Sequence, residues 1–136
     1  MPLKIALKPN EKLYIGGAVI SNGDHYSEFT VLNNTTILRE KDILTTETAT
    51  SPCRKIYLSI QSMYMDESGS LEEHHATYWT LVQDVMDAAP SFNPLLTEVS
   101  ELILADNYYK ALKVANKLID KETEVIKNAE LSSECV

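Results

Sequence analysis

A change of hydrophobic period near residue 61 constrains this chain more than any other feature of its sequence. Before it, aliphatic residues recur at every second position, the spacing of a strand with one buried face. In Leu3-Lys4-Ile5-Ala6-Leu7-Lys8 the aliphatic side chains fall on one side and both lysines on the other. Lys12-Leu13-Tyr14-Ile15 repeats the pattern. Gly16-Gly17 then marks a bulge or a close backbone approach, and Ala18-Val19-Ile20 continues the strand. Asn22-Gly23 has the form of a two-residue hairpin turn into a returning strand from Tyr26 to Leu32. Asn33-Asn34 turns the chain again into Thr35-Thr36-Ile37-Leu38-Arg39, and Arg54-Lys55-Ile56-Tyr57-Leu58-Ser59-Ile60 alternates once more. These runs predict a small antiparallel sheet of four or five strands.

After residue 61 the period becomes 3.6, that of a helix with one apolar stripe. Met63-Tyr64-Met65 fits either the end of the last strand or the start of a helical turn. Ser70-Leu71-Glu72-Glu73 has the form of a capping box, opening a helix that ends before Pro90 and aligns Leu71, His75, Tyr78, Leu81 or Val82, Val85 and Met86. Asn93-Pro94 offers a cap and a first helical proline for a second helix, about Pro94 to Ala105, burying Leu95, Val99, Leu102 and Ile103. A third runs from about Asn107 to Asn128 with Tyr108, Leu112, Ala115 and Ile119 on one side, and ELSSECV reads as a frayed tail. The fold class is therefore α+β: a β-rich lobe over residues 1–66 and a helical bundle of about three helices over residues 67–136.

A length of 136 residues suits one compact unit with two lobes. Lys4, Lys8, Glu11 and Lys12 break every apolar run at the N-terminus, so no secretory signal is expected, and no stretch approaches the roughly 18 apolar residues of a membrane span. Cys53 and Cys135 share no metal-binding or disulfide spacing, which points to a reducing cytoplasm. The net charge of −8 is divided unevenly: residues 1–60 carry seven Lys/Arg against six Asp/Glu, and residues 61–136 carry five against fourteen. A polyanion finds a home only in the N-terminal half.

Catalytic motifs do not emerge. His74-His75 beside Glu72 and Glu73 points in divergent directions on a helix and has no third ligand at a metal-site spacing. Phosphate loops, nucleophile elbows and dinucleotide fingerprints are missing from the sequence, so neither enzyme activity, metal nor cofactor is expected. Surface binding remains. With Leu3, Ile5, Leu7, Leu13, Ile15, Ile56, Leu58 and Ile60 turned inward, Lys4, Lys8, Lys12, Tyr14, Lys55 and Tyr57 would share the outer face of the sheet. Lysines that neutralise phosphates beside rings that stack on bases suit single-stranded RNA. The same lysines also serve as plain solubilising groups on an edge strand. Arg39, Lys41 and Arg54 complete the candidate phosphate contacts, and a second candidate surface, for a protein partner, is the helical stripe Tyr109, Leu112 and Val114.

The blocks PLKIALKPNEKLYIGGAVISNGD, ILREKDIL at 37–44, SPCRKIYLSIQSMYMD at 51–66 and YYKALKVANKLID at 108–120 resemble the FlbT family of bacterial flagellar biosynthesis repressors, in order and at similar spacing over about residues 2–127. The resemblance implies a cytoplasmic post-transcriptional regulator that associates with the 5′ untranslated region of a flagellin messenger RNA and promotes its degradation. It also implies a small antagonistic partner of the FlaF type. Against direct RNA binding stands the net charge of −8, which requires the basic face to be turned to RNA, or a homodimer pairing two such faces. The alternative is an adaptor whose helical lobe grips a protein and which reaches the messenger only indirectly.

Overall fold

The computed structural model describes residues 3–65 and 71–134, with side chains to residue 129. By its contacts the chain divides into two units, Met1–Ile43 and Leu44–Val136.

The first unit holds five strands among its described residues: β1 (Leu3–Leu7), β2 (Lys12–Ile15), β3 (Ala18–Ser21), β4 (Ser27–Val31) and β5 (Ile37–Arg39). They form two antiparallel sheets, β1–β4 and β3–β2–β5. Lys8-Pro9-Asn10-Glu11 closes the first turn through a Glu11 N–H to Lys8 carbonyl bond of 3.1 Å, with Pro at the second position and Asn10 at φ +63° where a type II turn needs a positive value. The β2–β3 hairpin turns on Gly16-Gly17, at φ +52° and +95°, leaving Ile15 opposite Ala18. Two consecutive positive φ values are what a type I′ turn requires, so the glycine pair is the hairpin itself and not a bulge.

Asn22-Gly23 does not make the hairpin expected of it, because β4 pairs with β1 instead of β3. The Asn22 side chain is used as a clamp: Nδ2 donates to the carbonyls of Lys8 (2.8 Å), His25 (2.9 Å) and Leu7 (3.2 Å), and Oδ1 accepts from the Ser27 hydroxyl (3.0 Å). Ile5, Leu7 and Leu13 form the core of this unit, with Ile15, Phe29, Val31 and Ile37 packed against it.

The second unit contains α1 (Pro52–Tyr64), α2 (Leu71–Ala88), α3 (Asn93–Leu104) and α4 (Tyr108–Glu134), with a 3-10 turn at Pro90–Phe92 before α3. The strand expected over residues 54–60 is helical. Seven residues are too few to separate the two periods, but Cys53, Ile56, Tyr57, Ile60 and Met63 are buried together at the i, i+3, i+4, i+7, i+10 positions of one helix face. Ser51 caps that helix, its hydroxyl accepting the Arg54 N–H at 3.3 Å, and Pro52 occupies the first turn. Residues 61–64 complete α1, which packs against α2 and α4, so a lobe boundary after residue 66 would group it with strands it is not part of.

Tyr78, Val82 and Val85 of α2 are buried as the stripe requires, whereas Leu71 is exposed. The cap at Ser70 and the loop Asp66–Gly69 lie outside the described residues. The Tyr78 hydroxyl meets Ser100 Oγ at 2.8 Å, tying α2 to α3. Asn93 is helical and does not act as a cap; its Oδ1 is buried without a hydrogen-bond partner among the described residues. Between α3 and α4, Asn107 N–H bonds the Leu102 carbonyl (2.8 Å) and Asp106 N–H the Ile103 carbonyl (3.0 Å), with Asp106 at φ +57°. This is a Schellman closure. Asn107 then caps α4 by accepting the Lys110 N–H at 3.4 Å.

Candidate nucleic-acid interface

Alternation along β1 decides which lysines share a face. Ile5 and Leu7 point into the core, so Lys4 and Ala6 point out, and the paired strand places Thr30 opposite Lys4 and Glu28 opposite Ala6. Continued by one residue, the same register sets Lys8 opposite Tyr26. Both are exposed, Tyr26 to 62%. The Asn22 amide binds the carbonyls of Lys8 and His25 and so fixes the two backbones that carry this pair. The outer face of β1–β4 thus presents two ammonium groups and one phenol ring, with Glu28 between them.

The other candidate residues are placed differently. Lys12 and Lys41 are exposed, Lys12 with its N–H bonded to Glu40 Oε2 at 3.2 Å. Arg39 acts as a strut between the two sheets, its Nη1 donating to the Ala6 carbonyl at 3.0 Å and lying 3.8 Å from Glu11 Oε1. Tyr14 is buried opposite Leu38, and Tyr57 is buried on α1, so neither ring offers a surface for stacking. Arg54 and Lys55 ride on α1 in the second unit and belong to no sheet face. Of the helical stripe, Leu112 and Val114 are interior residues of α4, and only Tyr109 is well exposed. Counted by unit, the first carries five Lys/Arg against five Asp/Glu, and the second seven against fifteen.

Tyr26 was not singled out by the sequence because its face depends on which strand β4 joins. Once β4 is paired with β1, alternation alone puts Tyr26 beside Lys8. Of the histidine pair, His75 has its Nε2 3.2 Å from the Tyr108 hydroxyl. Among the described residues no three His, Cys, Asp or Glu side chains converge as a metal site would require.

The class these features define is a small α+β protein in which a neutral strand unit carries a lysine–tyrosine face and is followed by an acidic helical unit. The chain belongs to the FlbT family: the family model described as flagellar protein FlbT matches residues 3–126. It is 40% identical over 126 residues to the probable flagellum biosynthesis repressor protein FlbT of Rhodopseudomonas palustris (strain TIE-1), covering 93% of this chain and 98% of that one. It is 38% identical over 128 residues to the flagellum biosynthesis repressor protein FlbT of Caulobacter vibrioides (strain ATCC 19089), covering 91% and 89%. No solved structure matches the chain. No described helix is long and apolar enough to cross a membrane.

Proposed function

We propose that this chain is a repressor of flagellum biosynthesis that acts in the cytoplasm after transcription, associating with the 5′ untranslated region of flagellin messenger RNA and promoting its degradation. Family membership supports the repressor role. The observation that carries the RNA contact is the outer β1–β4 face, which presents Lys4, with the exposed Lys8 and Tyr26 one residue beyond the last ladder pair, Leu7 and Ser27. Lysines 4, 8 and 12 neutralise backbone phosphates, and Tyr26 stacks on an unpaired base, a contact worth about 1–3 kcal/mol. No catalytic step is assigned to the chain; decay is carried out by the cell's nucleases.

The adaptor reading is favoured by one observation, the excess of acidic groups in the second unit, which disfavours RNA there. In that reading an antagonist of the FlaF type docks on the helices and the messenger is reached only through it, whereas in the direct reading a homodimer brings two lysine faces to one messenger.

Filter binding to the flagellin leader across a salt series separates the two. Three phosphate contacts give a slope of about −2 in log K against log salt, at about −0.7 per phosphate of a single strand. Lys8→Glu is expected to weaken binding and flatten the slope, and Lys55→Glu to leave both unchanged. Binding by the wild type only after a partner protein is added, with Lys8→Glu without effect, would establish the adaptor.

A further inference from the structure

An apolar groove of about 380 Å³ lies in the helical unit, and the RNA reading makes no use of it. Its floor is Pro52 and Cys53 at the start of α1; its walls are Val85 and Ala88 from α2, Phe92, and Val125 and Ile126 from α4. Val125 and Ile126 are 48% and 49% exposed, although they continue the helix whose preceding turns form the core.

One polar side chain is sunk into this apolar lining. Glu122 is only 9% exposed, and its Oε2 accepts the Cys53 N–H at 3.0 Å, an anion at a helix N-terminus. Its other oxygen, Oε1, is buried and has no hydrogen-bond partner among the described residues. A buried carboxylate oxygen without a donor costs free energy that a cationic donor recovers. The adjacent Lys121 does not supply that donor, because its Nζ binds the Ser91 carbonyl at 2.6 Å and lies over the Phe92 ring at 5.0 Å. The remaining charged group of the lining is Asp84, also acidic.

We propose that this groove docks an amphipathic helix of a protein partner, which lays aliphatic side chains between α2 and α4 and donates a lysine or arginine N–H to Glu122 Oε1. Charge selects this occupant. The lining holds two carboxyl side chains, Glu122 and Asp84, and the unit carries fifteen acidic residues against seven basic, which disfavours RNA, an anionic lipid surface or the same unit of a second copy. Helical walls and an aliphatic lining fit helix-in-groove recognition, in which anchors at i, i+3 and i+4 enter such a cleft.

Two measurements on the full-length protein test this. In the first, octylammonium and octanoate are titrated while the Val85, Val125 and Ile126 methyl signals are followed by NMR. Octylammonium is expected to shift them with an affinity at least about tenfold above that of octanoate, the ratio that a charge-assisted hydrogen bond supplies. Glu122→Gln, which keeps an oxygen for the Cys53 N–H, is expected to bring the two ligands within about twofold of each other. Equal binding of both by the wild type, or no shift with either, overturns the proposed chemistry.

In the second, p-benzoylphenylalanine replaces Ile126 on the groove rim, cells are irradiated, and the adduct is sequenced. The expected adduct is a segment of another protein with aliphatic residues at helical spacing and a Lys or Arg within one turn, lost when Val125→Asp is added. An adduct with RNA, lipid or a second copy of the chain, or no adduct, overturns the assignment of the occupant.

Discussion

Asn22→Ala isolates the clamp that holds the Lys8–Tyr26 pair without touching either side chain. Nδ2 has two protons for three carbonyls, so the short bonds to Lys8 and His25 dominate and the 3.2 Å contact to Leu7 is a shared third; Oδ1 adds the bond from Ser27. Three good bonds at a net of about 0.5–1.5 kcal/mol each, reduced for partial exposure, give a loss of roughly 2 kcal/mol. Read as native-state hydrogen exchange, that is about a thirtyfold fall in protection of the β1 and β4 amides. Asn22→Asp keeps the acceptor for Ser27 but removes both donors and sets a charge beside two carbonyls, so it is expected to lose at least as much. Leader affinity should fall in both variants. Unchanged protection in β1 and β4 in both would refute the clamp.

Three further perturbations probe the frame. Gly16→Ala forces an L-residue to φ +52° and brings its Cβ to 2.7 Å from Thr35 Oγ1, so a loss of about 2 kcal/mol is expected in urea unfolding; Thr35→Ala in the same chain should relieve the contact but not the backbone strain. Asp106→Gly relaxes the left-handed residue of the α3 closure and is expected to stabilise by about 0.5 kcal/mol, net of the lost 3.3 Å bond from the Tyr108 hydroxyl. Burial holds the Tyr78 hydroxyl up from 10.0 to about 12, and burial followed by Glu122 holds the Cys53 thiol up from 9.0 to about 12. The folded state keeps both protons longer, so stability is full below pH 9 and declines as pH rises from 9 through 12, with Tyr78 accounting for roughly 3 kcal/mol of the loss. Urea midpoints measured up to about pH 11 should show a decline that Tyr78→Phe makes shallower.

Local chemistry was legible where one segment decides its own fate. The alternation of Leu3 to Leu7 and of Lys12 to Ile15 marks real strands, and the stripes of α2, α3 and α4 mark real helices, because each is long enough to express its period. Residues 54–60 misled because a seven-residue window satisfies both periods; Ser51-Pro52 ahead of it was the cap that would have settled the matter. Asn22-Gly23 misled because turn chemistry specifies a local bend and not which strand the chain joins next. The candidate face inherited both errors. Tyr57 went inward with α1 and Tyr14 against Leu38, while Tyr26 appeared on the lysine face only through the β1–β4 register. Glu122 was invisible to sequence reasoning, since its burial is set by a bond to Cys53, 69 positions away.

The most direct test of the RNA face is an NMR titration of ¹⁵N-labelled full-length protein with the flagellin 5′ leader. Shift changes are expected to concentrate in residues 4–12 and 26–30, with the helical unit silent. Changes confined to α1–α4, or none at any leader concentration, would contradict the RNA face.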